Sequence, residues 1–291
     1  MGVISGIGHV ALQVRDLPRS LDVAREIIGL REVDVHDGWT FMTEGAPRHS
    51  IQYREGPTDA VDHIGLLAPN LEALAELKDR LRREKAEVVS PTALDPGLRH
   101  GLAFVGPLGF TFEVYVGMPP DQPRDFNSSG VRPKRFGHVN IVSEDNDELA
   151  DFFRRVLDFR VSDHAENIWF LRCNVDHHGL ALLPGDSPRL HHHAWEVASI
   201  VELEDLADRL CQRREDILWG PVRHGMGNNI ALYFREPGGS VVEYYCDMDR
   251  IYDDASHSPV AWDLSGHNWY SMWAPGLPAG FLEQGVGPVL R

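Results

Sequence analysis

The residues most able to do chemistry are two histidines and one carboxylate in the second half of the chain. His138 stands in GHVNI, His192 in RLHHHAWE and Glu243 in SVVEYY. Two imidazoles and a carboxylate on one side of a divalent metal leave its other side open to substrate and oxygen, the arrangement of non-haem iron(II) oxygenases. Each residue alone says little. A single histidine at the start of an apolar stretch is usually structural or exposed, and a glutamate within VVEYY is ordinarily a strand residue facing solvent. The run His191–His193 also leaves three candidates for one ligand.

An internal repeat raises the weight of all three. GIGHVALQV (6–14) resembles RFGHVNIVS (135–143), and 138 − 9 is 129. VDHIGLLAP (61–69) resembles LHHHAWEVA (190–198), and 192 − 63 is again 129; RHSIQYREG (48–56) resembles HHGLALLPG (177–185), and 178 − 49 is 129 once more. GFTFEVYVG (109–117) resembles GSVVEYYCD (239–247), with 243 − 113 equal to 130. A near-constant offset at four anchors marks a duplication. This register favours His192 over its two neighbours and puts the three ligand candidates at equivalent points of a symmetric unit.

The elements that must position them follow from the hydrophobic pattern. Each half divides again, and each quarter opens on a short apolar strand: 7–14, 61–68, 136–142 and 192–198. A helix follows. Over 146–159, Leu149, Phe152, Phe153, Val156 and Leu157 fall on one helical face. Leu71, Leu74 and Leu81 mark a face in 70–84, and Leu203, Leu206 and Leu210 one in 203–214. Two or three short strands punctuated by Gly and Pro then complete the quarter. The fold class is therefore α+β, with four βαβββ modules paired into two barrel-like domains. The expected domains are 1–117 and 135–247, joined by a Pro-, Gly- and Ser-rich linker at 118–134, with a tail at 248–291 packing near the site. On a strand, alternate residues share a face, so Asn140 and Ala194 lie on the faces of His138 and His192. Both are small or polar and leave room for a ligand.

Bulk properties narrow the partners. The chain has 291 residues and a net charge of −16, with 44 acidic against 28 basic residues, which disfavours binding to phosphate backbones. No apolar stretch is long enough for a membrane span and no basic-then-apolar leader opens the chain. The three cysteines, Cys173, Cys211 and Cys246, are widely spaced and form no CxxC. The expectation is a cytoplasmic protein with neither nucleic-acid nor membrane partner, assembling as a homo-oligomer.

The second half resembles the type I extradiol ring-cleavage dioxygenases of the vicinal oxygen chelate superfamily, the catechol 2,3-dioxygenase-like enzymes. The stretches that carry the resemblance are GHVNI (137–141), CNVDHHGLAL (173–182), RLHH (189–192), RHGMGNNIALY (223–233) and EPGGSVVEYY (236–245). It implies that His138, His192 and Glu243 hold iron(II), with manganese(II) as the alternative. It implies that His178 is the acid/base histidine and that His224 and Tyr233 contact a substrate oxygen, with Asn140 in the pocket. Substrates would be an aromatic diol and dioxygen, the ring opening beside the two hydroxyls. The rival readings are a glyoxalase- or isomerase-like metalloenzyme of the same superfamily, and a metal-free small-molecule-binding protein.

Family members that take carboxylated substrates place an arginine five residues before the loop histidine and paired arginines in the tail. Here the first position is Trp219, and the tail reads AWDLSGHNWYSMWAP (261–275). Trp219, Trp269 and Trp273 would suit a neutral aromatic diol, since bidentate guanidinium partners for a carboxylate are missing. The first half keeps His9, His49, His63, His100 and Glu113. Its span from His100 to Glu113 is 13 residues against 19 from His224 to Glu243, six shorter. The equivalent of Tyr233 is expected to fall in that deletion, and the cluster to be a relic without metal.

Overall fold

The structure, a computed structural model, describes residues 2–45, 47–120, 130–273 and 276–289. Four βαβββ modules follow one another. The first is β1 (Gly6–Val14), α1 (Leu17–Glu26), β2 (Arg31–His36), β3 (Trp39–Thr43) and β4 (Ile51–Glu55). The second is β5 (Ala60–Ala68), α2 (Leu71–Glu84), β6 (Glu87–Ser90), β7 (Gly101–Val105) and β8 (Thr111–Val116). The third is β9 (Arg135–Ser143), α3 (Asn146–Arg155), β10 (Arg160–Ala165), β11 (Ile168–Arg172) and β12 (Leu180–Pro184). The fourth is β13 (Arg189–Glu196), α4 (Ile200–Arg213), β14 (Ile217–Arg223), β15 (Ile230–Arg235) and β16 (Val241–Cys246). Residues 121–129 of the expected linker lie outside the described residues. A two-residue strand, β17 (Val260–Ala261), joins the edge of the second sheet from the tail.

Each pair of modules shares one sheet. The first sheet runs β2-β3-β4-β1-β5-β8-β7-β6, and the second β14-β15-β16-β13-β9-β12-β11-β10-β17. The two module-opening strands pair antiparallel at the centre, β1 with β5 and β9 with β13. Each also pairs in parallel with the last strand of its own module. Three ligand candidates per half therefore fall on three adjacent central strands. No helix among the described residues is long and apolar enough to cross a membrane.

Local chemistry sets the helix ends. Asp145 caps α3 by accepting the Glu148 amide at 3.1 Å, and Ser199 with Glu202 forms a capping box at α4. That cap starts α4 three residues before the expected 203. The α3 helix ends at Arg155 instead of 159 because Asp158 takes a left-handed φ of 58°. Val156 and Leu157 stay buried beyond it. On α2 the buried face is Leu74, Leu77 and Leu81, while Leu71 at the first turn is 50% exposed. Leu77, unlike Leu71, lies between the other two on the sheet-facing stripe.

Candidate active site

The central strands of the second sheet bring His138, His192 and Glu243 together. Ladder pairing places Ala194 between His138 and Glu243, and Asn140 opposite His192. One ligand atom from each of the three lies within 4.8 Å of the others, and all three side chains are buried. Glu243 Oε2 is 3.0 Å from both His138 Nε2 and His192 Nε2. Glu243 Oε1 accepts from the Asn229 side-chain amide at 3.0 Å, which holds the carboxylate in place. Gly137 is required next to His138. A Cβ there would lie 2.0 Å from the Tyr245 hydroxyl, and the Tyr245 ring packs 5.0 Å from the His138 ring.

The histidine triplet resolves by its partners. Burial, reinforced by the neighbouring His192 imidazole, pushes His191 down to about 3, so its ring is neutral at pH 7. Its Nε2–H donates to the Phe281 carbonyl at 2.7 Å, which leaves Nδ1 to accept from His192 Nδ1 at 2.8 Å. His192 Nε2 is thereby left with its lone pair aimed at Glu243 and His138, the outer-partner device that fixes a metal ligand's tautomer. His193 turns elsewhere and accepts from Trp195 Nε1 at 2.9 Å. Burial pushes His192 down to about 4, against the opposing pull of Glu243. Burial alone would raise Glu243, but the His138 and His192 imidazoles hold it well below the usual carboxylate range. A neutral imidazole and an ionised carboxylate are what a cation needs.

Above the triad lies a cavity of about 540 Å³ counted with its mouth, walled by Phe170, Trp219, Trp269, Tyr270 and Phe281 among others. His178, His224, Tyr233 and Asn140 all face it. The His224 Nδ1–H donates to the Tyr270 carbonyl at 2.6 Å, so its Nε2 accepts from the Tyr233 hydroxyl at 2.7 Å. Burial lowers His224, with Glu243 opposing, and burial together with Glu243 raises Tyr233 well above its ordinary value. The His178 ring sits 4.4 Å from His138 and edge-on to Phe170 at 4.9 Å. Behind it, His178 Nδ1 is 3.1 Å from His177 Nδ1, and His177 Nε2 is 3.3 Å from Asp163. The two Nδ1 atoms share one hydrogen, which ties His178 to His177 and through it to Asp163. Gly227 (φ +82°) permits the close approach, since a Cβ would lie 3.1 Å from His177 and 3.2 Å from His178.

The tryptophans divide. Trp219 stacks on Tyr233 at 5.5 Å and 18°, and Trp269 lines the cavity. Trp273 does not join them: it is 52% exposed, under the Arg223 guanidinium at 5.6 Å, because the tail turns outward there. The spacing of the sequence did not single out Asn229, His191, His177, Asp163, Tyr270 or Phe281. The GNN stretch after the loop histidine was a signal for Asn229; the tail residues had none. A further correction concerns the first half. Ala103 pairs with Glu113 as Tyr233 pairs with Glu243. The tyrosine position therefore survives and holds alanine, and the missing residues come from the loop before it.

The model of the glyoxalase/bleomycin resistance protein/dioxygenase superfamily matches residues 6–114 and 135–244. The chain belongs to this superfamily. Within the superfamily, it is 26% identical to the manganese-dependent 2,3-dihydroxybiphenyl 1,2-dioxygenase of Geobacillus genomosp. 3, over 92% of this chain and 94% of that one. It is 25% identical to the iron-dependent extradiol dioxygenase of Rhodococcus jostii strain RHA1, over 91% of this chain and 97% of that one. Among solved structures, the Mn(II)-bound glyoxalase from Novosphingobium aromaticivorans superposes with a TM-score of 0.87 at 29% identity, covering 97% of this chain and 95% of that one.

Proposed function

We propose that the chain is an extradiol dioxygenase that opens a catechol-type aromatic diol with dioxygen, at an iron(II) held by His138, His192 and Glu243. One observation carries this reading: the triad forms the floor of an aromatic-walled cavity that His178, His224 and Tyr233 also face. The donor set suits a divalent metal, with the Nε2 atoms of His138 and His192 and one ionised carboxylate on one side and the cavity on the other. When bound, the metal supplies a Lewis-acid centre for the diol oxygens and redox chemistry toward dioxygen.

The chain's own groups handle the protons. The Tyr233 oxygen keeps lone pairs with which to accept from a diol hydroxyl, while its own hydrogen points to His224 Nε2. A proton leaving the diol can thus pass to Tyr233 as Tyr233 passes its own to His224, whose other nitrogen is anchored on the Tyr270 carbonyl. His178, with its Nδ1 tied to His177, has Nε2 free to deliver or take a proton. Trp219, Trp269 and Phe281 exclude water from the ring. No lysine or arginine is among the residues lining the cavity, which favours a neutral diol.

Iron(II) is taken as the metal on the strength of the iron-dependent relative; the manganese-dependent relative, at similar identity, marks the alternative. The test is anaerobic loading with either metal, followed by oxygen uptake with catechol and 2,3-dihydroxybiphenyl and the appearance of a yellow ring-opened product. Absence of oxygen uptake in both metal forms would overturn the proposal. The likeness to the Mn(II)-bound glyoxalase supports a second reading. Glyoxalase activity in the manganese form without oxygen consumption would favour it.

A further inference from the structure

The first half of the molecule holds a second convergence of ligand-type side chains. His9 on β1, His63 on β5 and Glu113 on β8 occupy the strand positions of His138, His192 and Glu243. Asp95, from the segment between β6 and β7, closes the fourth side. All four are buried, and one ligand atom from each lies within 4.8 Å of the others. His9 Nε2 is 3.2 Å from His63 Nε2, 3.0 Å from Asp95 Oδ2 and 3.3 Å from Glu113 Oε2. His63 Nε2 is 3.6 Å from both Asp95 Oδ1 and Glu113 Oε2. Four donors placed tetrahedrally at roughly 2.1 Å from a zinc ion stand about 3.4 Å apart. The five measured separations, 3.0 to 3.6 Å, lie around that length, Asp95 turning Oδ2 toward His9 and Oδ1 toward His63.

Each donor is aimed from behind. His63 Nδ1–H donates to Asp62 at 2.9 Å, and His9 Nδ1 lies 3.3 Å from the Tyr115 hydroxyl, so both Nε2 atoms face the centre. Asp95 accepts from His49 Nε2 at 2.8 Å and from the Gln52 amide at 2.6 Å; that amide nitrogen is also 3.1 Å from His63 Nε2. Glu113 Oε1 accepts the backbone amides of Leu94 and Asp95. Its other oxygen, Oε2, accepts no hydrogen bond although the residue is 0% exposed, and it faces the same centre. Two carboxylates match the charge of a divalent ion. A surface depression bounded by Trp39, Asp62, His63 and Asp95 gives an ion access.

We propose that the N-terminal half binds a second divalent metal ion of the zinc(II) class in a closed, structural site formed by His9, His63, Asp95 and Glu113. The spacing alone suggests a relic; Asp95, whose place in the 129-residue register (95 + 129 = 224) is held in the second half by His224, supplies the fourth ligand that a closed site requires. The proposal stands independently of what the C-terminal cavity does.

The test is metal stoichiometry. Chelator-stripped protein is titrated with zinc(II) and separately with cobalt(II), passed through gel filtration and measured by mass spectrometry of the bound metal. Wild type should retain two ions per chain. The His138→Ala/Glu243→Ala variant should retain one, and its cobalt(II) form should show the strong visible absorption of four-coordinate cobalt. In the wild-type background, Asp95→Asn, which keeps the side chain's shape, should retain one ion and keep its circular dichroism. An Asp95→Asn variant that retains as many ions as wild type would overturn the proposal. A His138→Ala/Glu243→Ala variant that keeps its circular dichroism but retains none would also overturn it.

Discussion

The two halves carry the same triad on the same three strands, yet one triad opens onto an aromatic-walled cavity and the other is met by a fourth ligand-type side chain, Asp95. In the second half the space beyond His138, His192 and Glu243 is walled by aromatic side chains, several of them from the tail. In the first half that space is filled by Asp95, which also captures His49, the counterpart of His178. Ala103 stands where Tyr233 stands, so no hydroxyl faces that centre from β7. Strand register fixes the ligand positions, and duplication preserves register. Loops and tail decide access, and they are what differ. A site with four protein donors has no coordination position for substrate, whereas one with three does. On the reading proposed above, chemistry belongs to the second half.

The comparison breaks most sharply at the ligands of the open site. His192→Ala should lower kcat by roughly 1000-fold or more, about 4 kcal/mol of barrier, and remove the C-terminal metal. Steady-state kinetics with metal analysis checks it; retained metal with retained turnover would sink the assignment. One step out, the two halves orient their ligands differently, through His191 in one and Asp62 in the other. Loss of such an outer partner typically weakens metal affinity about 10–100-fold. His191→Ala should weaken only the C-terminal ion and Asp62→Ala only the N-terminal one. Competition with a fluorescent chelator measures both, and weakening of the wrong site by either change would contradict the split.

A third, smaller effect sharpens what the open site accepts. Trp219 stacks on Tyr233 and touches His224 and Phe281 by its edges. Trp219→Arg places a guanidinium at the cavity wall, and it should shift the kcat/KM ratio toward a carboxylated catechol by ~10-fold, or 1.4 kcal/mol. Wild type should favour neutral catechols. A wild-type preference for 3,4-dihydroxyphenylacetate over catechol would mean that the carboxylate is bound by a group outside the cavity walls.

Much of this was legible in the sequence because it depends on register. The 129-residue offset located His138, His192, His9 and His63, and helix periodicity located the buried faces of α3 and α4. What the sequence hid depends on distance along the chain. Asp95 lies in a loop with no periodic pattern, and only the fold carries it to His9 and Glu113. Tyr270 and Phe281 reach the cavity from a tail outside the repeat. Trp273 looked equivalent to Trp269, but a four-residue separation in irregular chain fixes no common face. Ala103 was hidden because a length difference does not say which residues are missing; ladder pairing does.

The smallest effect expected on turnover is that of His63→Ala, the change equivalent to His192→Ala 129 residues earlier (192 − 63). Every residue lining the cavity belongs to the second half or the tail, and none comes from the first sheet. His63 therefore touches neither substrate nor the groups that move protons. Its loss opens the closed cluster and leaves Asp62, Asp95 and Glu113 with one fewer nitrogen partner, which costs folding free energy, not transition-state binding. Removing one buried polar partner typically costs about 1–3 kcal/mol, and a protein of this size loses roughly 2–4 °C of Tm per kcal/mol. The expected result is a Tm lower by several degrees, with kcat within a few-fold of wild type once the C-terminal metal is restored. The measurement is thermal unfolding beside turnover at matched C-terminal metal content. A His63→Ala protein that unfolds like wild type yet turns over a hundred times more slowly would place the chemistry in the first half and reverse the assignment of the two sites.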